Sequence, residues 1–328
     1  MSVFGTQVLK VVAVAALGMF GIASTAKAAD PIRIITTGKG SPLEWPLAIG
    51  MAKGFFKAHN VSIDVVSAPS TATAMQQIAA RAGDIGVGGL TDPIRAIDRG
   101  APLSILILET SVPPYSIWGK PTIKKFSDLK GKTVIVGGAK DITRIYFERM
   151  AVPNGLKAGD YDLTYAGTTP ARYAALSSGA VDAAILYPPA SFKAPVEGYS
   201  NLGELADYVK DLPFTGYAVH TDWAKQHAAE VKGFLMGMNE SVKWFYNSAN
   251  RTEAIDIQVA ASGAARGDVE QTYDYFTRLK IYPATNTMTP ETIAPLVKIL
   301  GDAKELDGAA DPKRFINPDI NAMLKAAQ

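Results

Sequence analysis

Cysteine is absent from all 328 residues. That excludes disulfides, thiolate nucleophiles, thiolate-ligated zinc and a lipidated N-terminal cysteine. Histidine is nearly as scarce, with three residues, and none falls in a loop that reads as a site. An excess of one charge is also missing: 33 Lys and Arg stand against 31 Asp and Glu. Nothing in that balance calls for nucleic acid as a partner. There is no Ser/Gly linker and no charge run. There is no P-loop, no G-x-S-x-G and no H-E-x-x-H. No metal and no cofactor are expected, and the chain does not read as an enzyme.

What is present is an ordinary globular composition, 48% hydrophobic and 20% charged, with enough length for two domains. The first 28 residues read as an export signal. Lys10 closes a thin basic region, "VVAVAALGMFGIA" is a short apolar core, and Ala26–Ala28 forms an A-x-A cleavage site. The apolar run is too short for a membrane-spanning helix. Cleavage near Ala28 would give a soluble periplasmic protein of zero formal charge, since the segment removes Lys10 and Lys27 and no acid.

The next segments alternate in type. "IRIIT", "VSIDVV", "DIGVGG" and "LSILILE" have strand character, with helical stretches between them, including one over "PLAIGMAKGFFKAH" and one over "STATAMQQIAARA". That order signals an α/β domain with a largely parallel sheet. Adjacent prolines break the pattern at Val112–Ser116. A second α/β run follows through "KTVIVGG", "ITRIYFERM", "DYDLTYA", "PARYAALSSG" and "DAAILY", and ends near Leu212–Gly216. The last third is mostly helical, and "VKGFLMGMNESVKWFYN" carries a core-facing stripe from Val231 to Tyr246.

One sentence is written twice. "AARAGDIGVGGLTDP" (79–93) and "SSGAVDAAILYPPAS" (177–191) align with an offset of 98, pairing Asp84 with Asp182. The same offset pairs Ser70-Thr71 with Thr168-Thr169 and Ile78 with Leu176. Asp84 and Asp182 open strands, so they read as turn residues at the end away from any site.

Ligands of open α/β sheets bind outside the carboxyl ends of the strands. The loops there are rich in Gly, Ser and Thr, and most open a helix, where free N–H groups favour an anionic oxygen. The ligand-binding candidates are Lys39, Ser41 and Trp45 in the first loop; Ser70 and Thr71 in the second; and Gly89 and Thr91 in the third. Tyr115 stands at the crossing. In the second run they are Gly138, Lys140, Asp141, Thr169 and Tyr187. Trp45, Tyr115 and Tyr187 would supply walls. Asp141 places an acid at a helix start that otherwise favours an anion, which leaves room for a carboxylate, an amine-bearing acid or a heteroaromatic. Arg144, with Glu148 four residues on, reads as a solvated pair.

Four stretches in order, "AIGMAKGFF", "AARAGDIGVGG", "FSDLKGKTVIV" and "ALSSGAVDAAILYPP", resemble the periplasmic solute-binding proteins of ABC importers, of the sulfonate/nitrate/taurine type. The resemblance covers essentially the whole chain after residue 28. It implies a two-lobed type II periplasmic-binding-protein fold, with two mixed sheets flanked by helices and two crossing strands. The lobes would be 29–114 plus 216–328, and 115–215. It further implies a monomer that closes on a small solute and delivers it to an inner-membrane permease and its ATPase. The other readings are a ligand-sensing periplasmic module and an enzyme on the same fold, such as one of thiamine-precursor synthesis.

Overall fold

A computed structural model of the chain describes Met1 and residues 30–209, 212–284 and 288–325. Apart from Met1, the expected export signal lies outside the described residues. The strands are β1 (Ile32–Thr36), β2 (Ile63–Ser67), β3 (Ile85–Gly89), β4 (Leu103–Thr110), β5 (Ser116–Gly119), β6 (Thr133–Val136), β7 (Asp162–Tyr165), β8 (Ala183–Leu186), β9 (Ser200–Glu204) and β10 (Thr215–His220). They form two five-stranded sheets, β2-β1-β3-β10-β4 and β7-β6-β8-β5-β9.

The two sheets share a plan. In each, a central strand pairs in parallel with two neighbours, β1 with β2 and β3, and β6 with β7 and β8. In each, the next strand is antiparallel, β10 in one and β5 in the other. The sheets are mixed, as the resemblance implied, and the largely parallel pattern read from the element order meets an exception with a topological cause. The chain leaves β4 at the carboxyl edge of the first sheet and enters the second sheet at its facing edge. The entering strand β5 must then run away from that edge, against β8. The return through β10 obeys the same geometry, so the segment after Leu212 is not only a break but a strand of the first sheet.

The repeated sentence falls on matching elements. The helix Thr71–Ala79 is capped by Ser70, whose side chain accepts from the Thr73 N–H, and the helix Thr169–Ser177 is capped by Thr168, which accepts from the Ala171 N–H. Ile78 and Leu176 are both buried against their sheets.

The expected long helix over 46–59 divides into Trp45–Lys53 and Phe55–Ala58, because Gly54 adopts a left-handed conformation (φ 74°) that ends the first piece. The helix Ala228–Tyr246 buries Val231, Phe234, Leu235, Met238, Val242 and Phe245. Each large side chain so buried stabilises the fold by roughly 1.5–3 kcal/mol. Tyr246, at the end of the stripe, is half-buried and donates its hydroxyl to the Tyr282 carbonyl at 3.0 Å.

The largest apolar cluster does not respect the division into sheets. Leu90, Ile105 and Leu108 from the first side join Val134, Ile145 and Tyr146 from the second, with Ile293 and Leu296 of the helix Pro290–Asp302. Beside it, Glu305 accepts from Arg95 Nε at 3.0 Å and from an Arg144 terminal nitrogen at 2.8 Å. Arg144 also holds Glu148 at 2.9 Å. The expected solvated pair is thus one arm of a half-buried network.

Candidate functional site

The loops at the carboxyl ends of β1, β2, β3, β6, β7 and β8 all open onto one cavity of about 770 Å³. Twelve of the thirteen expected ligand-binding residues line it: Lys39, Ser41, Trp45, Ser70, Thr71, Gly89, Tyr115, Gly138, Lys140, Asp141, Thr169 and Tyr187. Thr91 does not. It is buried in the first turn of the helix Thr91–Asp98, and its neighbour Asp92 reaches the cavity instead. None of the three histidines lines the cavity. His59 meets Glu240, His220 caps the helix Thr221–Gln226, and His227 stacks on Trp223.

The lining residues differ in how free they are. Trp45 has no exposed surface; its indole N–H donates to the Ala254 carbonyl at 2.8 Å, and its ring packs edge-on to Phe245 and Tyr273. It braces the first loop more than it offers a wall. Tyr115 and Tyr187 meet edge to face at 5.3 Å and form an aromatic corner with Phe214. Burial raises the Tyr187 phenol above its ordinary value, while the nearby Ser41 hydroxyl and Arg172 guanidinium act to lower it. Ser41 belongs to the first sheet's side and Arg172 to the second's, so Tyr187 stands where the two sides meet.

The helix starts also differ. Ser70 and Thr168 each use one hydroxyl on their own helix and leave further N–H groups of the first turn uncapped by side chains. Asp141 is committed: its carboxylate accepts from the Thr143 N–H at 2.8 Å and from the Thr143 hydroxyl. Its charge reaches across to Asp92. Burial first, and Asp141 second, push the Asp92 carboxyl up to about 6, against the lowering pull of Arg95.

Three charged residues in the cavity carry more chemistry than their sequence context announces. Arg172 is 1% exposed. Its Nε donates to the Ile185 carbonyl at 2.8 Å, one terminal nitrogen to the Ala166 carbonyl at 2.9 Å, and the other to the Thr169 hydroxyl at 2.6 Å. Its guanidinium lies 5.9 Å from the centre of the Tyr115 ring. A cation in the first turn of a helix is disfavoured by the dipole, and that was the available signal for it. Glu109 closes the apolar strand β4 at its carboxyl end and is 3% exposed. It accepts from the Tyr217 hydroxyl at 3.0 Å. A lone acid at that end of a buried strand was its signal. Glu44, at the end of the short 3-10 turn Pro42–Glu44, is buried and accepts from the Thr36 hydroxyl. Among the described residues, no group of His, Asp and Glu assembles as a metal site, and no helix is long and apolar enough to cross a membrane.

A family model described as "NMT1/THI5 like" matches residues 44–251, more than half of the chain. The alkanesulfonate-binding protein SsuA from Xanthomonas axonopodis pv. citri, solved bound to MOPS, superposes with a TM-score of 0.70 at 17% identity, covering 89% of this chain and 99% of that one. The periplasmic nitrate-binding protein NrtA from Synechocystis PCC 6803 superposes with a TM-score of 0.70 at 16% identity, covering 90% and 88%. These likenesses bear out the two-lobed periplasmic-binding-protein fold. A curated relative, the 4-amino-5-hydroxymethyl-2-methylpyrimidine phosphate synthase THI13 of Saccharomyces cerevisiae, is 23% identical over 159 residues, 48% of this chain and 46% of its own. The chain thus spans about half the length of the curated relatives it matches.

Proposed function

The chain belongs to the NMT1/THI5-like family, and on that footing we propose that it is the extracytoplasmic solute-binding component of an ABC importer. It captures a small organic or inorganic solute between two lobes and hands it to an inner-membrane permease and its ATPase. The lobes are residues 29–114 with 216–328, and 115–215; the protein works as a periplasmic monomer after cleavage near Ala28. One observation carries the reading: six strand ends, three from each sheet, surround a single cavity rimmed by helix starts of both sides. The segments joining the sides, Ser111–Tyr115 and the stretch ahead of Thr215, act as the hinge, where the hydroxyls of Thr110 and Thr215 meet at 2.6 Å.

The yeast relative favours a second reading, a synthase of the aminopyrimidine class. Acid–base work of that kind usually draws on histidine, and here the three histidines serve caps and surface pairs away from the cavity. The binding reading uses the residues that are there.

A thermal-shift screen of unfolded and refolded protein, stripped of carried-over ligand, tests it. The panel spans nitrate, alkyl sulfonates, taurine, aromatic carboxylates and aminopyrimidines. A saturable rise with one class, following ligand linkage, supports the reading and names the class. Turnover of an aminopyrimidine precursor, or no shift with any member from folded protein, overturns it.

A further inference from the structure

Arg172, Glu44 and Glu109 line the same cavity, and among the described residues none of the three has an oppositely charged side chain within ion-pair distance. Burying a charge without a partner is costly. Arg172 meets this cost only in part, with carbonyls and a hydroxyl. Glu44 has the Thr36 hydroxyl, and Glu109 has those of Tyr217 and Thr215. A further acceptor in the cavity wall is also unsatisfied. Gln258 is 2% exposed and donates its Nε2 to the Gly40 carbonyl at 2.8 Å, while its Oε1 has no hydrogen-bond donor. The wall built by the second sheet's side therefore offers a cation, and the wall built by the first offers acceptors that want N–H groups.

Building on the solute-binding reading, we propose that the ligand is two-ended: its acidic group sits at Arg172 and the start of the helix Thr169–Ser177, and a cationic nitrogen bearing N–H donors sits at Glu44 and Glu109. Such a ligand supplies Arg172 with its missing counter-charge and lets the two carboxyls ionise against a cation. A simple alkyl sulfonate or nitrate would satisfy Arg172 and leave the carboxyl end unanswered.

The protonation of the pair agrees. Burial pushes the Glu109 carboxyl up to about 7, against the lowering effect of the Thr215 and Tyr217 hydroxyls. Burial, and then Glu109 itself, hold Glu44 well above the usual carboxylate range, with the Thr36 hydroxyl acting the other way. The groups facing the pair are the phenols of Tyr187, Tyr217 and Tyr282, all raised by burial and so neutral. Without a cation beside it, the pair keeps protons through the acid side of neutrality. A cation favours the ionised form, so its binding releases protons, and its affinity should climb as pH rises from 5.5 to 8.

The test compares matched probes by calorimetry on the refolded protein: 3-aminopropanesulfonate against 1-propanesulfonate, and 4-(aminomethyl)benzoate against 4-methylbenzoate. The pairs differ in the spacing of the two ends. In at least one pair the amine should bind about tenfold tighter or better at pH 8. The advantage should shrink at pH 5.5, with proton release read from buffers of different ionisation enthalpy. The variant E44Q/E109Q, checked for folding by its melting curve, should lose the amine preference, and E109D should keep part of it. Equal affinity within each pair overturns this inference and leaves the solute-binding reading standing. Failure of the wider panel removes that reading, and this inference with it.

Discussion

Asp84 and Asp182, 98 residues apart, make the same bond in different sheets. Asp84 accepts from the backbone N–H of Arg33 at 2.8 Å, and Asp182 from that of Thr133 at 3.0 Å. Each also sends its own N–H back to the carbonyl of the same residue, at 2.9 and 2.8 Å. The repeated sentence is therefore a structural latch at the start of β3 and β8, used once per sheet and remote from the cavity.

Asp182 also holds Lys120 at 2.9 Å. Burial acts to raise its carboxyl, but the Thr133 N–H and Lys120 outweigh that and hold it below the ordinary aspartate value. A depressed carboxylate stabilises above its unfolded pKa, and the contribution fades as pH falls through the folded one. Asp182→Asn should cost about 1–2 kcal/mol near pH 7, and the gap from wild type should close in strongly acidic buffer. Urea melts across that range measure it; a gap that persists at low pH would contradict the latch.

Glu109 has the opposite sign. Its raised carboxyl favours the protonated form in the folded chain, so stability is lost as pH climbs from the ordinary glutamate range through about 7. Glu109→Gln should raise the melting temperature of ligand-free protein at pH 8 and do little at pH 4. A destabilised variant at pH 8 would refute the assignment.

Arg172 anchors the loop before its helix as well as the proposed acidic end of the ligand. Arg172→Lys keeps the charge but loses the planar fork. Affinity for an acidic ligand should fall tenfold or more, with a drop in stability of about 1–3 kcal/mol from the carbonyls left unpaired. Titration calorimetry and melting curves together separate the two. Unchanged affinity would take Arg172 out of the site.

Gly40 has φ 79°, and a Cβ there would lie 2.5 Å from the Ala261 carbonyl oxygen. Its own carbonyl accepts from Gln258. Gly40→Ala should displace the first cavity loop from the helix Arg251–Ser262 and weaken ligand binding, with a stability loss of about 1–3 kcal/mol. A melting curve and one calorimetric titration suffice. Wild-type binding would mean the loop has slack the packing does not suggest.

The sequence made much of this legible, and unevenly. The repeat announced two equivalent halves because turn, cap and buried position recur at one offset: Ser70 with Thr168, Ile78 with Leu176. The cavity loops were readable because strand ends and helix starts have local signatures. The reversal of β5 and β10 was not, since direction within a sheet depends on where the chain crosses. Arg172 and Glu109 were overlooked for a related reason. Each sits inside a regular element, and only the tertiary arrangement turns its side chain to the cavity and leaves it without a counter-charge. Trp45 was found as a cavity residue, but its indole is claimed by Ala254, 209 positions away.

Glu305 gives the molecule a sense of time. Its carboxylate is shared between Arg95, on the helix behind the first sheet, and Arg144, on the helix behind the second. If the two sides swing apart to let a solute go, one guanidinium must surrender its own oxygen of that carboxylate to water. Capture from the open form makes no such demand. The dwell of a bound solute would then be governed by a residue that never touches it. Replacing Glu305 with Gln should shorten that dwell in stopped-flow release while the association rate barely moves.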